Sequence, residues 1–140
     1  MESNLEKACH TLVCGEYTCV VYDGITTYTS HDRGVKPLLN FIDAGTNLHG
    51  FSAADKVVGK ATAFLYCLLG VKEVYAQIIS EAARQVLTSY GIPVYWDQEV
   101  AFIRNRTNTG RCPMETATES VTKPEDALIA IRTALKKLQG

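Results

Sequence analysis

The sequence predicts a single three-layer α/β/α domain built on a mixed sheet of four to five strands. Three observations carry that expectation. Two β-rich segments, 17–22 and 25–30, flank an Asp23-Gly24 turn pair; helical and strand-like patterns then alternate; and the most apolar helical pattern lacks a solvent face. At 140 residues the chain is long enough for one well-buried core and short for two ordinary domains, so one domain is expected over 1–140.

Ser3 and Glu6 make a capping-box pattern, and Leu5, Ala8 or Cys9, and Leu12 follow at helical spacing, which predicts a first helix over 4–13. Asp23-Gly24 suits a two-residue type I′ hairpin loop. Val35, Leu38, Leu39 and Ile42 then keep helical spacing, with Pro37 tolerable only in the first turn, and this second helix ends near Gly45.

The segment 52–70 is the expected organising element. Ser52 followed by Asp55 reads as a capping box and Gly70 as a C-terminal stop. Between them Val57, Val58, Ala61, Phe64, Leu65, Leu68 and Leu69 recur at helical spacing. Gly59, Thr62, Ala63, Tyr66 and Cys67 supply too little polarity for a solvent face, so the helix is expected to be covered on both sides, with Cys67 inside. Val71, Val74, Tyr75, Ile78 and Ile79 predict an interior strand over 71–79, parallel to the first strand.

Ser80 caps the next expected helix, which runs through Tyr90 and is closed by Gly91 and Pro93; Val94-Tyr95-Trp96 reads as a further short strand. Segment 97–104 fits an antiparallel edge strand or a short helix capped by Asp97, with the helix preferred. Cys112 reads as the N-cap of a helix that has Pro113 at its first position. Thr122 and Glu125 open an amphipathic C-terminal helix over about 124–138, whose stripe of Leu128, Ile131, Leu135 and Leu138 packs on the sheet.

Fourteen basic against fifteen acidic residues leave a net charge near zero, which suggests no general nucleic-acid or anionic-membrane surface. No apolar run approaches the ~20 residues of a membrane span, and the N-terminus lacks a secretory pattern, so the expected location is cytoplasmic. Cys9, Cys14, Cys19, Cys67 and Cys112 are odd in number and contain no C-x-x-C pair, which fits reduced thiols rather than a disulfide framework or a zinc site. His10 and Cys14 share a helix face but make only two ligands. Neither metal nor cofactor is expected.

Lys56 and Lys60 fall in the first two turns of the expected central helix, where its dipole disfavours a cation by roughly 0.3–1 kcal/mol. A bound anion would relieve that cost. The plainer alternative is that the stems pack, the ammonium groups reach water and Asp55 balances charge. His49, in the preceding loop, lies close to this expected pocket; a loop histidine is more often surface decoration than a catalyst. The polar loop 104–111 carries Arg104, Arg106 and Arg111 and leads into Cys112. A thiol at a helix N-terminus beside arginines has the setting that lowers its pKa; the alternative is a small capping residue.

Asp55-Lys56-Val57-Val58-Gly59-Lys60-Ala61, Val71-Lys72-Glu73-Val74-Tyr75-Ala76, Ile79-Ser80-Glu81 and the run from Arg106 through Gly110 to Cys112-Pro113-Met114-Glu115 resemble a small bacterial family of uncharacterised function. That family is assigned to the cytidine-deaminase-like fold, and the resemblance covers about 17–119. It implies a cleft between two helix N-termini, lined by Asp55, Lys56, Ser80 and Glu81. Zinc deaminases place His-x-Glu and Pro-Cys-x-x-Cys at those helix starts. Here 52–56 and 80–83 hold neither histidine nor cysteine, so zinc-dependent deamination is not expected.

The leading expectation is a metal-independent binding or sensing module. It would hold a small anionic, nucleotide-like ligand through Asp55, Lys56, Lys60, Ser80, Glu81, Arg106 and Cys112. The runner-up is a metal-independent enzyme, with Cys112 as nucleophile or Asp55 and Glu81 as acid and base. A third reading is an interaction protein in which Tyr95 and Trp96 contribute to a homodimer surface.

Overall fold

A computed structural model describes residues 3–104, 110 and 112–139. Helix α1 (Asn4–Cys14) opens on the reciprocal box expected of it: the Ser3 hydroxyl accepts the Glu6 N–H at 3.1 Å, and the Ser3 N–H donates to the Glu6 carboxylate at 3.4 Å. A hairpin follows, β1 (Cys19–Tyr22) and β2 (Thr27–Ser30). Its turn is shifted by one residue from the expected type I′ loop. Asp23 uses its side chain to accept the N–H groups of Ile25 and Thr26, and positive φ is confined to Gly24, the sign pattern of a II′ turn with Gly24-Ile25 at its centre.

Helix α2 (Lys36–Asp43), with Pro37 in its first turn, leads to β3 (Ser52–Val58), and α3 (Lys60–Leu69) begins directly after Gly59. Then come β4 (Glu73–Ser80), α4 (Glu81–Ser89), β5 (Val94–Val100), the short α5 (Pro113–Ala117) and α6 (Pro124–Gln139). The five strands make one mixed sheet in the order β2-β1-β3-β4-β5. Strand β1 runs antiparallel to both its neighbours, whereas β3, β4 and β5 are parallel. The expectation that β4 would parallel the first strand is therefore corrected: β3 stands between them and reverses the direction. Residues 97–100 continue β5 instead of starting a helix.

The larger correction concerns 52–70, which is a strand followed by a helix. Ser52, Ala53, Ala54 and Asp55 are all buried because β3 is central in the sheet and covered on both faces. A strand packed on two sides loses the alternation that identifies strands, and alanines at such positions imitate a helix. The small side chains have a steric use. Ala54 lies in a cluster with Ala8 and Leu12 of α1, while Ala53 lies in the main core with Phe64, Leu65 and Leu69 of α3. Ser52 caps nothing; its hydroxyl donates to Glu73 at 2.5 Å.

The helix that does form, α3, is covered nearly all round, with Ala61 to Tyr66 and Leu69 buried and Cys67 and Leu68 half-buried. Helix α1 covers β1, β3 and part of β4 from one side; α3 and α4 lie on the other, flanked by α2. Helix α6 packs mainly on α3 and α5 rather than directly on the sheet as expected. The cysteines Cys9, Cys14, Cys19, Cys67 and Cys112 are free. Among the described residues no helix is long and apolar enough to cross a membrane.

Gly70 ends α3 in the left-handed region at φ 72°, donating its N–H to the carbonyls of Tyr66 and Cys67. An added Cβ would meet the His49 ring, with Cε1 at 2.3 Å. Gly70→Ala is expected to lower stability by about 1–2 kcal/mol from the backbone conformation alone, with the imidazole contact adding to it. Urea midpoints of the two proteins check this; equal midpoints would contradict it.

Candidate functional site

Parallel strands direct their carboxyl ends to one edge, and here β3 and β4 deliver the starts of α3 and α4 side by side. A cleft of about 200 Å³ opens there, lined by Lys60, Glu81, Ala82, Gln85, Ala101, Phe102, Glu115 and Glu119. The carboxyl edge of an open parallel sheet is the usual position for a ligand.

The N-terminus of α3 has Gly59 as its N-cap, which has no side chain to satisfy the first free N–H. Glu115 supplies the acceptor from α5: its Oε1 takes the Lys60 N–H at 2.8 Å, and the residue is only 8% exposed. A Cβ on Gly59 would sit 2.2 Å from that oxygen, so glycine is required for the approach. The anionic group anticipated at the start of the central helix is thus present within the chain. Lys60 completes the exchange by donating its Nζ to the Glu119 carbonyl at 2.9 Å and lying 5.8 Å from the Phe64 ring centroid.

The other expected site residues divide. Ser80 is buried and caps α4, its hydroxyl accepting the Ala83 N–H at 3.1 Å, so it shapes the cleft without lining it. Glu81 lines the cleft from the first turn of α4. Lys56 is exposed on β3 and shares no helix face with Lys60, because the helix that would have paired them does not form. Arg106 and Arg111 lie outside the described residues. Cys112 is the N-cap of α5 as expected, half-buried, but its thiol makes no capping bond and the helix has five residues. His49 is at the opposite end of α3, with Nδ1 3.2 Å from the Gly70 carbonyl oxygen.

Asp55 lies behind the cleft, in the core between β3 and α3. The Tyr66 hydroxyl donates to its Oδ2 at 2.6 Å, the Val57 N–H to its Oδ1 at 3.2 Å, and Cys19 Sγ lies 3.4 Å from the same tyrosine oxygen. Burial pushes the Asp55 carboxyl up to about 7, against the opposing pull of the Tyr66, Val57 and Lys56 hydrogen bonds. Burial, and then Asp55 itself, raise the Cys19 thiol. Cys19 is accordingly the most enclosed thiol, not Cys67, whose half-buried side chain is raised to about 11 by desolvation. Among the described residues no three His, Cys, Asp or Glu side chains are grouped to hold a metal.

A family profile described as the domain of unknown function DUF1893 (TM1506) matches residues 7–135. The chain belongs to the DUF1893 family. The crystal structure of a DUF1893 family protein, TM1506 from Thermotoga maritima, matches with a TM-score of 0.85 at 28% identity, covering 98% of this chain and 92% of that one. A search of curated proteins finds no match.

Sequence reasoning missed Glu115 and Glu119 as site residues of this DUF1893 domain. Their signal was weak but present: a carboxylate two residues after Pro113, and a Gly59-Lys60 pair with no cap of its own. Glu115→Ala removes the acceptor at the start of α3 and is expected to cost about 1–2 kcal/mol, the range for loss of a helix N-cap. Glu115→Gln, which keeps an oxygen there, should cost less. Equal losses for the two variants in chemical denaturation would show that the capping bond is not what α5 contributes.

Asp55 gives the DUF1893 chain a pH dependence of definite sign. Its folded pKa of about 7 lies above the ordinary 3.8, so the folded state binds the proton more tightly. The resulting stabilisation is complete below about pH 4 and is lost as pH rises towards 7. Asp55→Asn is expected to flatten the fall in melting temperature over that interval; an unchanged slope would assign the titration elsewhere.

Proposed function

We propose that this DUF1893 protein is a metal-independent binding module on a cytidine-deaminase-like scaffold, with its ligand in the cleft between α3, α4 and α5. The sheet order with β1 alone reversed, and the pairing of two helix starts at one edge, support the scaffold assignment. The starts that hold zinc ligands in deaminases are Gly59-Lys60 and Ser80-Glu81-Ala82-Ala83 here, so the reading keeps the cleft without the metal.

The observation that carries the reading is the Glu115 carboxylate on the first N–H of α3. It fills the position an anionic ligand would take and leaves Glu81 and Gln85 lining the cleft beside it. The Glu81 carboxylate only accepts hydrogen bonds, while the Gln85 amide can accept or donate, so the favoured ligand presents N–H donors towards Glu81. A nucleobase or a nucleoside satisfies this better than a phosphate does. The size agrees, since about 200 Å³ is below the ~300–1,000 Å³ of pockets for drug-sized molecules. The nucleotide-like part of the expectation is kept at its base end, and the anionic part is set aside. The alternative is a metal-independent enzyme in which Glu81 acts as acid or base; Asp55, enclosed behind the cleft, and Cys112, on α5, fit that role less well.

A thermal-shift panel of nucleobases and nucleosides beside their phosphates tests the proposal. A ligand at ~100 times its Kd adds roughly 2.7 kcal/mol of stability, well above detection. Bases or nucleosides are expected to raise Tm, the phosphates to add nothing further, and Glu81→Gln to reduce the shift. Shifts confined to the phosphates and abolished by Lys60→Ala would restore the anionic reading, and a panel without shifts would remove the ligand.

A further inference from the structure

Strands β2 and β5 form the two edges of the sheet, and their chemistry differs. Strand β5 carries Asp97 and Glu99, and pairing it with its own copy about Asp97 would set carboxylate against carboxylate. Trp96 is also engaged nearby: its ring lies 5.9 Å from the Arg84 guanidinium, and Arg84 is ion-paired to Glu99. Charges on an edge are a common protection against pairing. Strand β2 has none. From Gly24 to Ser30 the chain reads Gly-Ile-Thr-Thr-Tyr-Thr-Ser, uncharged and rich in strand formers.

We infer that β2 pairs antiparallel with β2 of a second copy of this chain, joining the two sheets about a two-fold axis at Tyr28. The register follows from bonds already made. The Thr26 carbonyl accepts the Asp23 N–H, and the Ser30 carbonyl accepts the Thr18 N–H, so even-numbered residues of β2 turn their backbone groups towards β1. Thr27 and Thr29 therefore present N–H and C=O to the open edge. A two-fold axis normal to the sheet requires facing residues to lie on the same face, which permits a centre at Tyr28. Thr27 then faces Thr29 of the second copy in a hydrogen-bonded pair, and Tyr28 faces Tyr28 in a close, non-bonded one. Thr–Thr and aromatic pairs are favourable cross-strand neighbours.

The same register covers exposed apolar surface. Ile25, at the hairpin tip, is 92% exposed, and Tyr28 is 39% exposed. The antiparallel pairing brings the tip towards the other end of the second copy's β2, where the Tyr17 and His31 rings lie against each other, tilted by 37° with centroids 4.6 Å apart. Beside the edge, a groove of about 480 Å³ between α1 and the hairpin, lined by Lys7, His10, Thr11, Cys14, Tyr22 and Thr27, gives the second copy further surface to cover. An isologous contact of this kind closes after two chains.

Sedimentation equilibrium of the full chain is expected to show a dimer, and the double variant Thr27→Lys with Thr29→Lys to weaken it about tenfold or more with far-UV circular dichroism unchanged, since like charges would then face each other across the paired strands. Tyr28→Cys provides a second reading that loss of fold cannot mimic. In the non-bonded pair the Cα atoms come within about 4.5 Å, near the lower limit for a disulfide. Mild oxidation should yield a reductant-sensitive dimer linked at position 28, absent from the unsubstituted protein and from Tyr95→Cys on β5. A chain that remains monomeric at ~0.5 mM, a dimer indifferent to the lysines, or cross-linking at position 95 instead of 28 would each overturn the inference.

Discussion

The hydrogen bond from the Lys60 N–H to the Glu115 carboxylate joins two helix starts that lie 55 residues apart in the chain. Helix α3 is the apolar centre of the fold, and its first turn starts at a glycine that cannot cap it. Glu115 satisfies that turn from 55 residues away, and in doing so fixes α5 over the carboxyl edge of the sheet. Lys60 returns the contact through the Glu119 carbonyl, so the cleft wall is bonded at two points. An acid at a helix N-terminus is favourable to the dipole as well as to the free N–H, so the two contributions reinforce each other. The free N–H at the start of α3 is thus taken by a carboxylate of the chain itself.

Strand β3 imposes the second constraint. It lies at the middle of the sheet with α1 on one face and α3 on the other, and both helices approach closely because its residues are small. Asp55 is the exception, a carboxyl in a position otherwise suited to alanine. Tyr66 reaches it from α3, Cys19 is its neighbour on β1, and no buried side-chain nitrogen or oxygen among the described residues lacks a partner. A satisfied polar cluster of this kind fixes the register of helix on sheet, at the cost of keeping a titratable group in the core.

Much of the local structure was legible in the residues. The Ser3 and Ser80 caps, the hairpin, the Pro113 helix start and the C-terminal helix each depend on chemistry within a few positions of the chain, and each formed, though Leu138 at the end of the expected stripe is exposed. The expected cleft lies between helix starts at Ser52 and Ser80; the cleft in the structure lies at the starts of α3 and α4, and of the four residues expected to line it Glu81 alone does so. Lys56 was placed on a helix that begins four residues later, and its supposed partnership with Lys60 went with it. Asp55, expected to line the pocket, belongs to the core.

What the sequence by itself determined was the α/β class, most element boundaries and the absence of the deaminase ligand pattern, because these follow from periodicity, caps and residue identity. What only the tertiary structure decided was that 52–58 is a strand, that Glu115 caps α3 and that Asp55 is enclosed. Burial on both faces removes the alternation that marks a strand, so Ser-Ala-Ala-Asp-Lys-Val-Val has no local signature separating it from a helix. A capping bond spanning 55 residues likewise depends on where α5 comes to rest, and the raised carboxyl of Asp55 on how much water the packing of α3 against β3 excludes. Those quantities arise from packing, and packing is settled by the whole chain at once.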